Sequence, residues 1–332
     1  MNRFCLLVLL LLASTAQASA GENGDFVWPG HGVPQERPVW GHRHGLRIGL
    51  APAPGPHGLI RLYAPYLGQE YPRMVNYLSV EPTVKGQAGR DQSELERSRD
   101  RPGERGLTFR PSNYLEKAAP SDNLPSGLST PSAGTLRLFV HSEPFPSGAQ
   151  PVLEITFHRD HPYEIEIAIH ANPDSAPMES CVISATMGNY GLLRRLHLAG
   201  GRIEQAPELW SDEQLDALGF LPWRTWSAEN LERLPDGRVQ VRASSNFPDP
   251  SHSSYGPDVP PHWRYRGDHA IHYWRAESST RPSVAVNARR SYWQTGTLIP
   301  GGASFENFEL RMPFDDGQRL WFGIVPLDDD NP

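Results

Sequence analysis

Cysteine and lysine are scarce in this chain, with two of each: Cys5 and Cys181, Lys85 and Lys117. Cys5 falls inside an N-terminal apolar run. Removal of that run leaves Cys181 alone, which excludes an intramolecular disulfide. No CxxC pair exists, so a thiolate metal site is excluded as well. Cys181 opens the apolar run Cys181-Val182-Ile183 and reads as a core thiol, because free cysteine behaves as a small hydrophobe. Long apolar runs are also missing: residues 5–12 fall well short of the roughly 20 that a membrane span needs. HExxH, the EF-hand loop, the P-loop and GxSxG are all absent, and neither a cofactor nor a metal is expected. The net charge of -7 comes from acidic and basic residues mixed along the chain, which argues against nucleic acid as a partner.

What is present begins with a targeting signature. Arg3 supplies a positive start, residues 5–12 an apolar run, and Ala18-Ser19-Ala20 the small-x-small pattern that signal peptidase reads. Residues 1–20 are therefore expected to be a signal peptide. The mature chain would start at Gly21, be secreted or periplasmic, and keep no membrane anchor after cleavage. The basic residues are almost all arginine, which genomic base composition explains and which also suits a protein that grips carboxylates or sulfates with a planar fork.

The fold class follows from punctuation and period. Thirty glycines and 33 prolines separate short alternating runs, and stretches with helical period are rare. The expectation is all-β: a large antiparallel β-sandwich with one short helix and long loops, forming a single domain over 21–332. The clearest hairpin pairs 152–158 with 163–170. Period two puts Leu153, Ile155, Phe157, Ile165, Ile167 and Ile169 on one face, and Glu154, His158, Glu164, Glu166 and His170 on the other. Further strands are expected at 59–63, 74–80, 135–141, 181–186, 238–243, 262–266, 270–276, 283–288, 304–312 and 319–325. Ser211 as N-cap, acidic residues in the following turn and Gly219 at the end predict a helix over 211–218. Residues 87–132 lack apolar periodicity and read as a long loop or lid.

Three constellations could carry chemistry. His262, Trp263, Arg264, Tyr265 and Arg266, followed by His269, His272, Tyr273 and Trp274, have the composition of a glycan groove; Trp263, Tyr265 and Trp274 could equally be core aromatics. Asn189 and Tyr190 with Arg194 could neutralise a uronate and move a proton, or form a turn after a strand. His141 and Glu143, two apart on one strand face, could act with His158 or His170 as an acid and base pair, or form part of a metal site built from imidazole and carboxylate. Glu306 and Glu309 alternate, so one should face a cleft and the other solvent. The candidate catalytic residues are thus Tyr190, His262, His141 and Glu143, and the candidate substrate-binding residues Asn189, Arg194, Trp263, Arg264, His272 and Trp274.

The phrases Asn76-Tyr77-Leu78-Ser79-Val80-Glu81-Pro82, Ser93-Glu94-Leu95-Glu96, Asn189-Tyr190-Gly191-Leu192-Leu193-Arg194 and Pro300-Gly301-Gly302-Ala303-Ser304-Phe305-Glu306-Asn307-Phe308-Glu309 resemble those of uncharacterised exported bacterial proteins. That family carries no assigned activity, so the resemblance implies no catalytic residue. The strand-rich layout is also similar to the large sandwich of galactose mutarotases and polysaccharide lyases, a likeness of architecture alone. The functional expectation is an exported carbohydrate-active protein that degrades a neutral or acidic poly- or oligosaccharide, with elimination preferred to hydrolysis. A noncatalytic carbohydrate-binding protein and a periplasmic structural or assembly protein are the alternatives.

Overall fold

In the computed structural model, residues 21–29, 39–50, 56–67, 73–112, 134–246, 255–257, 259, 264 and 270–327 are described. They form two ten-stranded antiparallel sheets. The first runs β1 (Gly21–Asn23), β2 (Phe26–Trp28), β3 (Val39–His42), β4 (Arg47–Gly49), β5 (Leu59–Ala64), β6 (Arg73–Val84), β11 (Met178–Thr186), β19 (Ser304–Arg311), β18 (Ser283–Arg289) and β14 (Arg224–Trp226). The second runs β13 (Ile203–Gln205), β12 (Leu193–His197), β16 (Arg238–Ser245), β17 (Ala270–Glu277), β20 (Gln318–Pro326), β10 (Glu164–Ala171), β9 (Pro151–His158), β8 (Thr135–Ser142) and β7 (Phe109–Ser112), with β15 (Glu232–Arg233) paired to β16. The all-β sandwich expected from the sequence is the fold observed. The predicted strand at 262–266, apart from Arg264, and the segment 113–132 lie outside the described residues.

Alternation decides what each sheet presents. Leu78 and Val80 of β6, Ile183 and Ala185 of β11, and Phe308 and Leu310 of β19 join one continuous core with Ile155, Ile167, Trp274 and Phe322 of the second sheet. In the hairpin, Ile165, Ile167 and Ile169 lie opposite Phe157, Ile155 and Leu153, the expected register. All six are essentially fully buried, and each contributes about 1.5–3 kcal/mol of transfer free energy. The reverse face carries ion pairs, His158 to Glu166 at 2.9 Å and His170 to Glu154 at 3.2 Å.

The predicted helix at 211–218 does not form. Asp216 turns its carboxylate onto the N–H groups of Leu218 and Phe220, at 2.9 and 2.7 Å, and so competes with the backbone bonds a helix would need. Ser211 bonds to Asp212 rather than capping. The α-helix observed is a single turn just upstream, α1 (Ala206–Leu209). No helix among the described residues is long and apolar enough to cross a membrane.

Buried polar contacts tie the sheets together, among them the bond from Ser304 Oγ of β19 to the Leu193 carbonyl of β12 at 3.0 Å and two from β17. Trp274 Nε1 donates to the Phe308 carbonyl at 2.9 Å, and His272 Nδ1 lies 3.2 Å from Asn76 Nδ2. Burial pushes the His272 imidazole down to about 3. An imidazole lowered on folding stabilises fully above its unfolded value near 6.5, and that contribution is lost as pH falls toward 3. Stability should therefore drop below pH 6.5 by up to about 1.4 kcal/mol per pH unit from this group alone. Chemical denaturation of His272→Gln across pH 4–7 should show a shallower acid limb than the wild type. Equal slopes would mean that His272 titrates normally.

Candidate functional site

The outer face of the first sheet departs from the usual polar surface. Its side chains are polar, yet they are buried. Register places Arg61, Tyr77, Thr186 and Asn307 in one cross-strand row, and Ser79, Ser184 and Glu309 in the next, with Glu81 two residues along β6 from Ser79. Arg61, Ser79, Glu81, Ser184, Thr186 and Glu309 are all at most 4% exposed. Buried polar groups need partners, so something must cover and satisfy them.

The cover is a strap, residues 85–108, that leaves β6 in the first sheet and reaches β7 in the second. Ser93 fastens it by a backbone bond from its N–H to the Val80 carbonyl, and its hydroxyl accepts from Val80 N–H and donates to the Gly58 carbonyl. Gly58, at φ +71°, allows this approach, since a Cβ there would lie 2.0 Å from the Ser93 oxygen. Farther along, Glu143 organises the strap's second half. Its carboxylate accepts from the N–H groups of Arg99, Asp100 and Thr108 and from Ser98 Oγ, at 2.6, 3.0, 2.6 and 2.8 Å. Burial alone would push this carboxyl up, but the four donors together hold it below its usual value. The support it gives is therefore present above pH 4.5 and fades as pH falls through its lowered value. Glu143→Ala leaves the buried Ser98 hydroxyl and three part-buried amides without their acceptor and should cost about 1–3 kcal/mol. Hydrogen exchange should then report faster exchange at the Arg99, Asp100 and Thr108 amides. Unchanged protection there would rule out this role.

Beneath the strap, Arg90 spans two carboxyls, with Nη1 2.8 Å from Glu309 Oε1 and Nη2 2.9 Å from Glu81 Oε2. Ser79 Oγ donates to the other Glu81 oxygen. The Nη2 contact is an ion pair without hydrogen-bond geometry, so Glu81 Oε2 has no hydrogen-bond partner; neither do Glu309 Oε2 and the nearby Ser184 Oγ. Burial, reinforced by the Glu309 charge and only partly offset by Arg90, raises the Glu81 carboxyl well above its ordinary range. Arg311 Nε also bonds Glu309 Oε1, at 2.5 Å. The two guanidinium groups stack on Trp223, with Cζ atoms 5.4 Å (Arg90) and 4.3 Å (Arg311) from the ring centroid. Trp223, Arg90 and Arg311 line an open depression of about 640 Å³ whose floor includes Thr83 and Val182.

A second carboxyl pair lies on the same face. Glu306 accepts from Asn189 Nδ2. Burial raises Glu306 to about 7 against the pull of Arg289 and Asn189. Burial, and then the Glu306 charge, raises Glu94 on the strap to about 7. Asn189 and Tyr190 sit in a 3₁₀ turn, Gly188–Gly191, bounded by Met187 at φ 74° and Leu192 at φ 53°. Left-handed backbone at two bulky residues costs on the order of 1 kcal/mol or more each, and such strain concentrates where side chains must be aimed. Tyr190 lies near enough to Tyr77 to influence it. Burial pushes Tyr77 up to about 12, Arg61 acts in the opposite sense, and Tyr63 and Tyr190 add to the rise.

The sequence-derived candidates are dispersed by the fold. Asn189 reaches the face just described through Glu306, whereas Tyr190, close to Tyr77, is a buried member of the hydrophobic core. Arg194 is fully buried and donates to the carbonyls of Pro300, Gly302 and Ala303, so its guanidinium fastens a loop rather than meeting a ligand. His272 and Trp274 are interior side chains. His141 lies on the outer face of the second sheet, in line with Val152 and His170, while Glu143 is spent on the strap; the two do not form a pair. Arg264 Nε donates to the Val259 carbonyl, and Val259 packs with Leu192, two residues beyond Tyr190. His262 and Trp263 lie outside the described residues. Glu306 and Glu309 face the same side, contrary to simple alternation. A bulge sets two residues of β19 against one of β18, so that Phe305 and Phe308 both reach the core.

Glu81, Glu94, Arg90, Arg311 and Trp223 carry no local signal in the sequence that marks them as site residues. The polar half of an alternating strand looks the same whether water or a strap covers it. No cluster of three or more metal-ligating side chains occurs among the described residues. No family model and no curated protein matches the chain. One solved structure, "Crystal Structure Analysis of HI1317", aligns over 88% of this chain and 96% of its own at 10% identity and a TM-score of 0.21, a likeness too slight to carry an argument.

Proposed function

We propose that this is an exported carbohydrate-active enzyme that cleaves a poly- or oligosaccharide by acid and base catalysis on the outer face of the first sheet. The observation that carries the reading is the pair Glu94 and Glu306, two neighbouring carboxyls whose affinity for protons is raised to about 7. A carboxyl poised near neutrality can give a proton to a leaving glycosidic oxygen and take one from water. Glu94 is partly exposed and is the better placed to meet substrate; Glu306, beneath it, is oriented by Asn189. Elimination drew its support from Tyr190 with Arg194, and Arg194 is committed to three carbonyls. Two perturbed carboxyls suit hydrolysis better.

The test is to incubate the purified mature protein with neutral and acidic glycans. New reducing ends without ultraviolet absorbance from an unsaturated uronate are expected. Absorbance would assign elimination instead, and binding without any cleavage would assign a noncatalytic carbohydrate-binding protein.

A further inference from the structure

The depression beside Trp223 holds a cation whose binding edge is unused. Arg311 Nε bonds Glu309, and its Cζ lies 4.3 Å from the Trp223 centroid, so the guanidinium plane is fixed by an ion pair and a ring. Neither Nη group hydrogen-bonds to a described residue, and the side chain is 32% exposed. A planar fork held in place, with its outer edge open to a cavity of about 640 Å³, is the arrangement that takes a carboxylate or sulfate in bidentate fashion. Trp223 adds a partly exposed ring at the same wall, suited to the apolar face of a sugar. Buried beneath, Glu309 balances only one of the two arginines, and Glu81 is driven toward its neutral form. The opposing group is Glu179, exposed on the rim of the same depression.

We infer that this depression is a subsite for the anionic group of an acidic saccharide, with Arg311 as the residue that binds it and Trp223 as the wall for the ring. The inference rests on the proposed carbohydrate function and names its substrate class. Arg311 is a specificity residue; the proton transfers remain with Glu94 and Glu306.

Calorimetric titration of the whole mature protein with three probes tests it: an oligogalacturonate carrying only carboxylates, a sulfated carrageenan oligosaccharide carrying only sulfates, and a neutral maltooligosaccharide. One of the two anionic probes should bind at least tenfold more tightly than the neutral one, with affinity falling as salt is raised. Which one binds identifies the group. Arg311→Gln should remove the preference without changing the melting temperature by more than a few degrees, and Glu179→Gln should strengthen anionic binding by relieving repulsion at the rim. Equal affinity for anionic and neutral probes, no binding of either anionic probe, or an Arg311→Gln variant that binds like the wild type would overturn the subsite. Cleavage of a neutral glycan without an anionic preference would sink this inference and leave the proposed function standing. Anionic binding without cleavage of any glycan would do the reverse.

Discussion

An Ile167→Asp variant is expected to be largely unfolded at room temperature, while Glu166→Ala, one residue away, should melt within a few degrees of the wild type. Ile167 is wholly buried between Ile155 and Leu320, its register partners on β9 and β20. Its loss removes about 2–5 kcal/mol of packing, and a carboxylate in its place has no partner. The combined cost matches the 5–15 kcal/mol that ordinarily stabilises a domain. Glu166, on the opposite face, bonds His158 and lies 2.9 Å from Arg319. Partly exposed pairs of this kind are worth about 1 kcal/mol or less. Thermal melts of the two variants settle the register. A greater loss from Glu166→Ala would place the core on the other side of the sheet.

The second large effect is on turnover. Glu94→Gln and Glu306→Gln should each lower kcat by about 10² to 10⁴, the range for removal of a positioned acid or base, and each should abolish the pH dependence near 7. The Glu306 change should also stabilise the fold under alkaline conditions. A carboxyl raised from 4.5 to about 7 by burial destabilises the folded state progressively as pH rises between those values, because the unfolded chain ionises first. Glutamine keeps the shape and removes the charge, so at pH 8 the variant should gain up to about 3 kcal/mol. A dead, more stable variant identifies a group retained for chemistry. An active variant with an unchanged pH profile would show that the pair serves structure alone.

The hairpin at β9 and β10 was legible because each of its faces is of one kind, apolar within and charged without. The same rule located β5, β6, β8, β11 and β16 to β20 within a few residues. It failed at 211–218, where a favourable cap, acidic first turn and terminal glycine were all present, because Asp216 satisfies nearby backbone groups more directly than a helix would. The site was legible only at Asn189 and at Glu306 and Glu309, of which one was expected to face a cleft. Trp274 and His272 looked like ligand-binding groups because their neighbours Tyr273 and Arg275 are polar-tipped, and no local pattern tells which half of an alternating strand meets the other sheet. Glu81 and Glu309 are separated by more than two hundred residues, and only the pairing of β6 with β11 and of β11 with β19 makes them neighbours.

The bulge in β19 carries a consequence for insertions and deletions rather than substitutions. Removing Asn307 would restore strict alternation and leave Phe305 and Phe308 inward, Glu306 and Glu309 outward, at the loss of the Asn307 amide bonded to Asn287. What would vanish is the local bend and added twist that a bulge gives its strand, and with them the angle at which Glu306 meets Asn189. Residue count along this strand thus matters in its own right: a chain one residue shorter would keep both phenylalanines and both glutamates and carry a differently aimed acid.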